Sequence, residues 1–315
     1  MPGGGEWQVI VILQTQLMMF IIIAIGYVLT KKGKLSAKTR ADITDLVLYV
    51  VLPCNIFGSF HKGISPEILR QCGIVLIIST GMQVIYLLLN KFMYIRFTPE
   101  RRVVAQYATI VNNSGFMGLP VIDAVFGETG LLYGSIVLIP LRVFMWTSGL
   151  SLFTSAGLRY KAKALATHPC IWAVILGFVY ILVPFELPEF LTYTINVIGN
   201  STTALSMLIV GSILSGVDPR GMLDKDCFYY SFFRLIAIPA FFFGVLVLLR
   251  VDPLVTGVSV LSSAMPAATL SVMLSEKYGQ DAAFASKMLF VSTVLSLVTL
   301  PVIAWALKSL LGISG

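Results

Sequence analysis

The sequence predicts an all-α polytopic membrane protein: ten transmembrane helices, set as two five-helix repeats of opposite orientation, with helices 4 and 9 broken. Three observations carry this prediction. The 315 residues are 57% hydrophobic and only 12% charged, with a mean hydropathy of +0.90, against about 25% charged in an ordinary globular chain. Apolar runs of about 20 residues, the length that crosses the hydrocarbon of a bilayer, recur along the whole chain. Two of these runs are interrupted by polar stretches containing proline.

The ten runs fall at residues 8–30, 41–60, 67–90, 103–126, 130–156, 168–184, 188–215, 227–250, 253–275 and 284–311. Span 1 follows Met-Pro-Gly-Gly-Gly-Glu-Trp, which has no basic segment, and its run is longer than a signal-peptide core, so it is expected to be retained. Span 2 opens on Asp42 and Asp45, acids that balance a helix start, and carries Leu52-Pro53-Cys54-Asn55. Span 3 reads as a plain apolar run. Span 4 holds the break Asn112-Asn113-Ser114-Gly115-Phe116-Met117-Gly118-Leu119-Pro120, and span 5 holds Arg142. Span 6 follows a basic linker; span 7 carries Asn200-Ser201-Thr202-Thr203 and span 8 carries Arg234. Span 9 has its own break, Ser262-Ser263-Ala264-Met265-Pro266-Ala267-Ala268-Thr269, and span 10 ends the chain.

Connections of at most about a dozen residues leave no room for a soluble domain. Cys54, Cys72, Cys170 and Cys227 form no C-x-x-C pair and fall in or beside spans, so they read as packing residues, with no metal site.

Lys and Arg residues beside the spans set the orientation, because short loops rich in them stay in the cytoplasm. The connections after spans 1, 3, 5, 7 and 9 hold sixteen, from Lys31 to Lys287, and the opposite side holds four: Lys62, Arg70, Arg250 and Lys308. Both termini are thereby placed outside. The net charge of +7 is an orientation signal and does not call for nucleic acid.

The chain divides into residues 1–157, a cytoplasmic linker at 158–167, and residues 168–315. Five spans in each half force similar halves to insert with opposite orientation. Val125-Phe126-Gly127-Glu128-Thr129-Gly130 and Lys277-Tyr278-Gly279-Gln280-Asp281-Ala282 occupy corresponding places, and so do the two breaks. Paired interrupted spans of this kind point to a transport site.

Proline inside a helix removes a hydrogen bond and clashes with the preceding turn, costing about 3 kcal/mol, and glycine lowers helix preference further. Gly118, Pro120 and Pro266 are therefore the expected break points. Each break exposes a half-helix N-terminus whose free N–H groups and dipole suit a carboxylate or phosphate. The expected ligand is a small organic anion, contacted by Asn112, Asn113, Ser114, Gly115, Ser263, Pro266 and Ala267. Asn112 is also expected to cap freed N–H groups. The bland alternative is close helix packing at Gly115 and Gly118, and a simple kink at Pro266.

Asn113-Ser114-Gly115-Phe116-Met117-Gly118-Leu119-Pro120, Leu52-Pro53-Cys54-Asn55, Ala264-Met265-Pro266 with Glu276-Lys277-Tyr278, and Leu297-Val298-Thr299-Leu300-Pro301 together resemble the auxin efflux carriers, which include bacterial organic-acid permeases and plant exporters. The resemblance spans the chain. It implies a fold like that of bile-acid symporters and sodium/proton antiporters, with spans 4 and 9 crossing at their breaks. It further implies a scaffold of spans 1, 2, 6 and 7 that dimerises, and a moving transport domain of spans 3–5 and 8–10. Plant members carry proline directly before the asparagine of span 4, where this chain has Asn112.

Arg142 lies deep in span 5, where a charge costs at least about 2.5–3.5 kcal/mol and usually faces a cavity or a partner. It is the residue expected to read the negative charge of the substrate; pairing with Asp123 is the structural alternative. Arg234, nearer the cytoplasmic edge, is expected to snorkel and anchor. Asn55 and Asn200 either line the scaffold side of a cavity or bond within their helices. His61 and His168 sit at span ends and make a poor proton relay.

No cofactor is expected. Coupling to sodium or to protons stays open, although no pair of deep carboxylates is present to carry protons. An enzyme would need H-E-x-x-H or paired aspartates, which are absent, and a channel would need rings or a long polar stripe. A membrane sensor that binds without transporting is the remaining alternative to a carrier in the cell membrane.

Overall fold

The computed structural model describes residues 4–58, 60, 65–153, 167, 169–183, 186–216, 224–268 and 270–313, and these form helices joined by short connections. The linker expected at 158–167, apart from Thr167, lies outside the described residues, as do His61, His168 and Thr269.

In chain order the helices are α1 (Gly4–Lys31), α2 (Ala37–Gly58), α3 (Pro66–Met93), α4 (Pro99–Ile110), α5 (Ser114–Phe153), α6 (Pro169–Leu182), α7 (Glu189–Leu214), α8 (Lys225–Leu248), α9 (Pro253–Ser263), α10 (Leu270–Lys277) and α11 (Ala282–Leu311). By length and composition, α2, α3, α5, α7, α8 and α11 can each cross a membrane. That is fewer than the ten spans read from the sequence: spans 6 and 9 form shorter apolar helices, and spans 4 and 5 run together through α5, while α1 runs 28 residues along span 1.

Helix starts are written in the local sequence. Ser65 Oγ accepts the Ile68 N–H at 3.2 Å and Asp252 Oδ1 accepts the Leu254 and Val255 N–H groups at 2.9 and 3.1 Å, each directly before a proline in the first turn. Inside α5, Gly127 takes φ 66°, open to glycine and strained for other residues. A Cβ at Gly134 would touch Leu119 and Ile122 at 3.0–3.2 Å, so α5 doubles back there as a hairpin.

Several prolines in long helices share one accommodation. Three of the four described π-turns, Val47–Val51, Ser114–Gly118 and Phe233–Ala237, end two residues before a proline: Pro53, Pro120 and Pro239; Met145–Gly149 does not, and Pro140 and Pro301 sit in α-helix without one. Widening the turn by one residue removes the demand for the proline's missing N–H and eases the clash with the carbonyl four residues back.

α1 and α7 cross at close range: a Cβ on Gly26 would strike the Leu208 backbone and one on Gly211 the Ile23 carbonyl. Thr30 Oγ1 donates to Ser212 Oγ at 2.9 Å beside that crossing. Glycine and serine at such contacts are how helices associate in lipid, where apolar burial drives little. α2 packs on α6 and α7, with Gly199 against the Asn55 backbone; α3 packs on α5, and α8 on α9 and α11. The outward surface is apolar, with Leu248 83% and Ile77 74% exposed, as lipid contact requires and water would punish. None of the four cysteines is in a disulfide; Cys72, Cys170 and Cys227 are buried and Cys54 is half-buried.

Candidate functional site

The chain leaves the helical ladder at Val111 (φ −117°, ψ 104°) and Asn113 (φ −83°, ψ 35°), then re-enters it at Ser114. On the other side, α9 ends at Ser263 and residues 264–268 run non-helical toward α10. The two breaks meet. Asn112 and Ala267 form an isolated antiparallel bridge, the Asn113 N–H donates to the Pro266 carbonyl at 2.9 Å, and the Ala267 N–H donates to Ser292 Oγ of α11 at 3.2 Å. Backbone groups freed inside an apolar medium must find such partners.

Asn112 ties the joint together. Its Nδ2 donates to the Ser262 carbonyl at 2.6 Å, and its Oδ1 accepts the Ser114 hydroxyl at 2.6 Å and the Ser114 N–H at 3.3 Å. Pro266 does sit in a break, but Gly118 and Pro120 do not: span 4 opens at Val111–Asn113, upstream of both. Gly118 closes the π-turn and Pro120 falls in the first turn of the following α-helix, where a missing N–H costs little. The polar pair Asn112-Asn113, which can bond backbone locally, sets the break point.

Asn113, Ser114, Gly115, Ser263 and Ala267 are all buried at this crossover. Asn113 Nδ2 has no partner among the described residues. Arg142 is 8% exposed. A Cβ on Gly115 would lie 3.0 Å from Arg142 Nη2, so the missing side chain is what lets the guanidinium lie against the first turn of α5. Among the described residues its Nη1 reaches only the Met145 sulfur, at 3.6 Å, and its Nε has no partner. The alternative pairing with Asp123 is not seen; Asp123 is exposed. Asn200 of α7 is exposed and Asn55 of α2 half-buried.

Arg234 departs from its expected anchoring role. It is 1% exposed, and its Nε and Nη1 donate to the Met265 and Thr109 carbonyls at 3.1 and 2.9 Å, while Cζ stands 5.1 Å from the Tyr86 ring centroid. Carbonyls left free by the breaks attract the guanidinium inward. Around it, Tyr230 Oη donates to the Ala108 carbonyl at 2.9 Å and Tyr94 Oη pairs with Thr109 Oγ1 at 2.7 Å. Beside the crossover lies a cavity of about 20 Å³ lined by Ser79, Gln83, Tyr86, Asn112, Ser114 and Ser262, among others. It has room for roughly one water, so in this conformation the crossover is closed.

Residues not singled out in the sequence complete the setting. At the predicted cytoplasmic end, Arg101 of α4 bonds Asp224 (3.1 Å), Asp226 (2.8 Å) and Asp281 (3.1 Å), tying α4 to the starts of α8 and α11. Only their common depth at span ends could have hinted at this, since the acids lie over a hundred residues away.

The family described as "Membrane transport protein" matches residues 11–166 and 160–304. The chain belongs to this family. It is the auxin efflux carrier family that the motifs resembled, and the protein is accordingly a multi-pass membrane transporter. An uncharacterized transporter of Methanocaldococcus jannaschii is 25% identical over 312 residues, covering 92% of this chain and 97% of the other. One from Methanothermobacter thermautotrophicus is 27% identical over 304 residues, covering 91% and 96%. An uncharacterized transporter of Schizosaccharomyces pombe is 29% identical over 117 residues, 36% of this chain and 25% of the other.

Proposed function

We propose that this carrier moves small organic anions, dicarboxylates of the malate or malonate type or aromatic acids of the auxin type, across the cell membrane by alternating access. The supporting observation is Arg142, a buried guanidinium with a partnerless Nε, lying against Gly115 at the N-terminus of a half-helix. A fixed cation, a positive helix end and the unpaired Asn113 amide together make a carboxylate seat.

In this reading the chain has ten spans in two inverted halves, with both termini outside. α1, α2, α6 and α7, which pack mainly on one another, are the scaffold and the dimer-forming face. α3, α4, α5 and α8–α11 are the moving part that carries the crossover. A cavity of about 20 Å³ is too small for a dicarboxylate, so the substrate binds only when the two parts shift against each other. No cofactor takes part.

The test is purified protein in liposomes, with uptake of radiolabelled malate and indole-acetate followed under imposed sodium, pH and voltage gradients. Saturable, trans-stimulated flux supports the proposal. Binding without flux under every gradient refutes it and leaves a sensor.

A further inference from the structure

Arg234 has no place in the anion seat, yet two hydrogen bonds and a ring contact hold it against the crossover. The two carbonyls it binds are not arbitrary. Thr109 belongs to the last turn of α4 and Met265 lies just past the end of α9, so one guanidinium joins the C-terminal ends of both first half-helices. Such an end carries roughly half a negative charge and carbonyls with no partner in their own helix. Two of them meeting away from water sum to about one negative charge. Arginine supplies one positive charge that cannot be lost, in a planar fork that reaches two acceptors at once.

We infer that Arg234 is a built-in counter-ion for the carbonyl side of the crossover, taking the part a bound alkali cation would otherwise play, so that this transporter needs no sodium there. The neighbouring cavity supports the assignment. Gln83 Oε1 and Ser262 Oγ line it without partners among the described residues, which is what a small cation would want. No carboxylate is among its lining residues, however, and Tyr86, against whose ring the guanidinium rests, is one of its walls. A second cation would sit beside a fixed charge of the same sign, whereas a neutral water would meet only dipoles.

The experiment compares wild type, Arg234→Lys and Arg234→Gln, each purified in detergent and melted in matched sodium, potassium and N-methylglucamine chloride, with flux in liposomes alongside. Wild type should melt at the same temperature and transport at the same rate in all three salts. Arg234→Gln should lower the melting midpoint by roughly 5–15 °C by stranding two buried carbonyls, and Arg234→Lys should fall between, keeping the charge but losing the fork. A wild-type midpoint raised by sodium alone would overturn the inference, as would a glutamine variant no worse than the lysine one. If Arg234→Gln does not fold, the salt series on wild type still decides. The flux arm rests on the carboxylate reading above and the melting arm does not, so silent liposomes with salt-indifferent melting would remove the substrate class and leave the counter-ion standing.

Discussion

At the scale of single residues, the crossover separates two arginines by what surrounds them. Arg234 donates from Nε and Nη1 to two protein carbonyls and leaves Nη2 without a partner among the described residues; Arg142 reaches only the Met145 sulfur and leaves a buried Nε unpaired among them, which is why the proposal gives it the ligand. Arg142→Gln should therefore impair transport of dianions more than monoanions, measured as the ratio of their kcat/KM values; an equal loss for both would make it structural. Asn113 offers its amide and Asn112 holds the joint, so their variants should separate. Asn113→Ala is expected to cut uptake strongly with little change in melting, whereas Asn112→Ala should cost about 2–4 kcal/mol of stability, because it removes a buried donor and acceptor together. Matching melting curves for the two variants would contradict this division.

At the scale of elements, the helices were legible wherever apolar runs ended at caps and prolines, as at Ser65-Pro66 and Asp252-Pro253. The break in span 4 was legible as a region but not as a position. Pro120 was the obvious breaker, yet a π-turn absorbs it, and the choice between π-turn and break depends on which backbone groups find partners in span 9. That information lies about 150 residues away. Close helix crossings were equally hidden, since a glycine in an apolar run looks the same whether it faces lipid or a neighbouring backbone. The two cases can be told apart by substitution. Gly211→Val should destabilise the α1–α7 crossing by at least about 1–3 kcal/mol, while Gly244→Ala, on an exposed face with open space around its missing Cβ, should be neutral or slightly stabilising. Thermal melting of both variants checks the contrast.

At the scale of the whole molecule, the family and class were readable from composition, motif spacing and the paired breaks, because these follow from the bilayer and from backbone hydrogen bonding. The cluster of Arg101 with three aspartates was not, being a meeting of span ends set by packing. Its side chains are 15–33% exposed, so each pair alone is worth little. As a three-way tie across α4, α8 and α11 it should matter more, and Arg101→Ala is expected to lower stability by about 1–2 kcal/mol at low salt, the difference shrinking as ionic strength rises. A carrier of anions without cation coupling should also answer to voltage. Each uncompensated charge moved experiences about 2.3 kcal/mol per 100 mV, so a potassium diffusion potential positive on the trans side should accelerate flux, and indifference to it would mean a compensating ion travels too.

The state of the cysteines has a practical reach beyond packing. With three of the four thiols buried and Cys54 half-covered, the natural chain is close to a silent background for thiol reagents. A cysteine placed at exposed Lys34 or exposed Glu67 would stand out without first stripping the native ones. Impermeant maleimide applied to intact cells should then label the second position and spare the first, reading the topology from single substitutions with the native cysteines left in place.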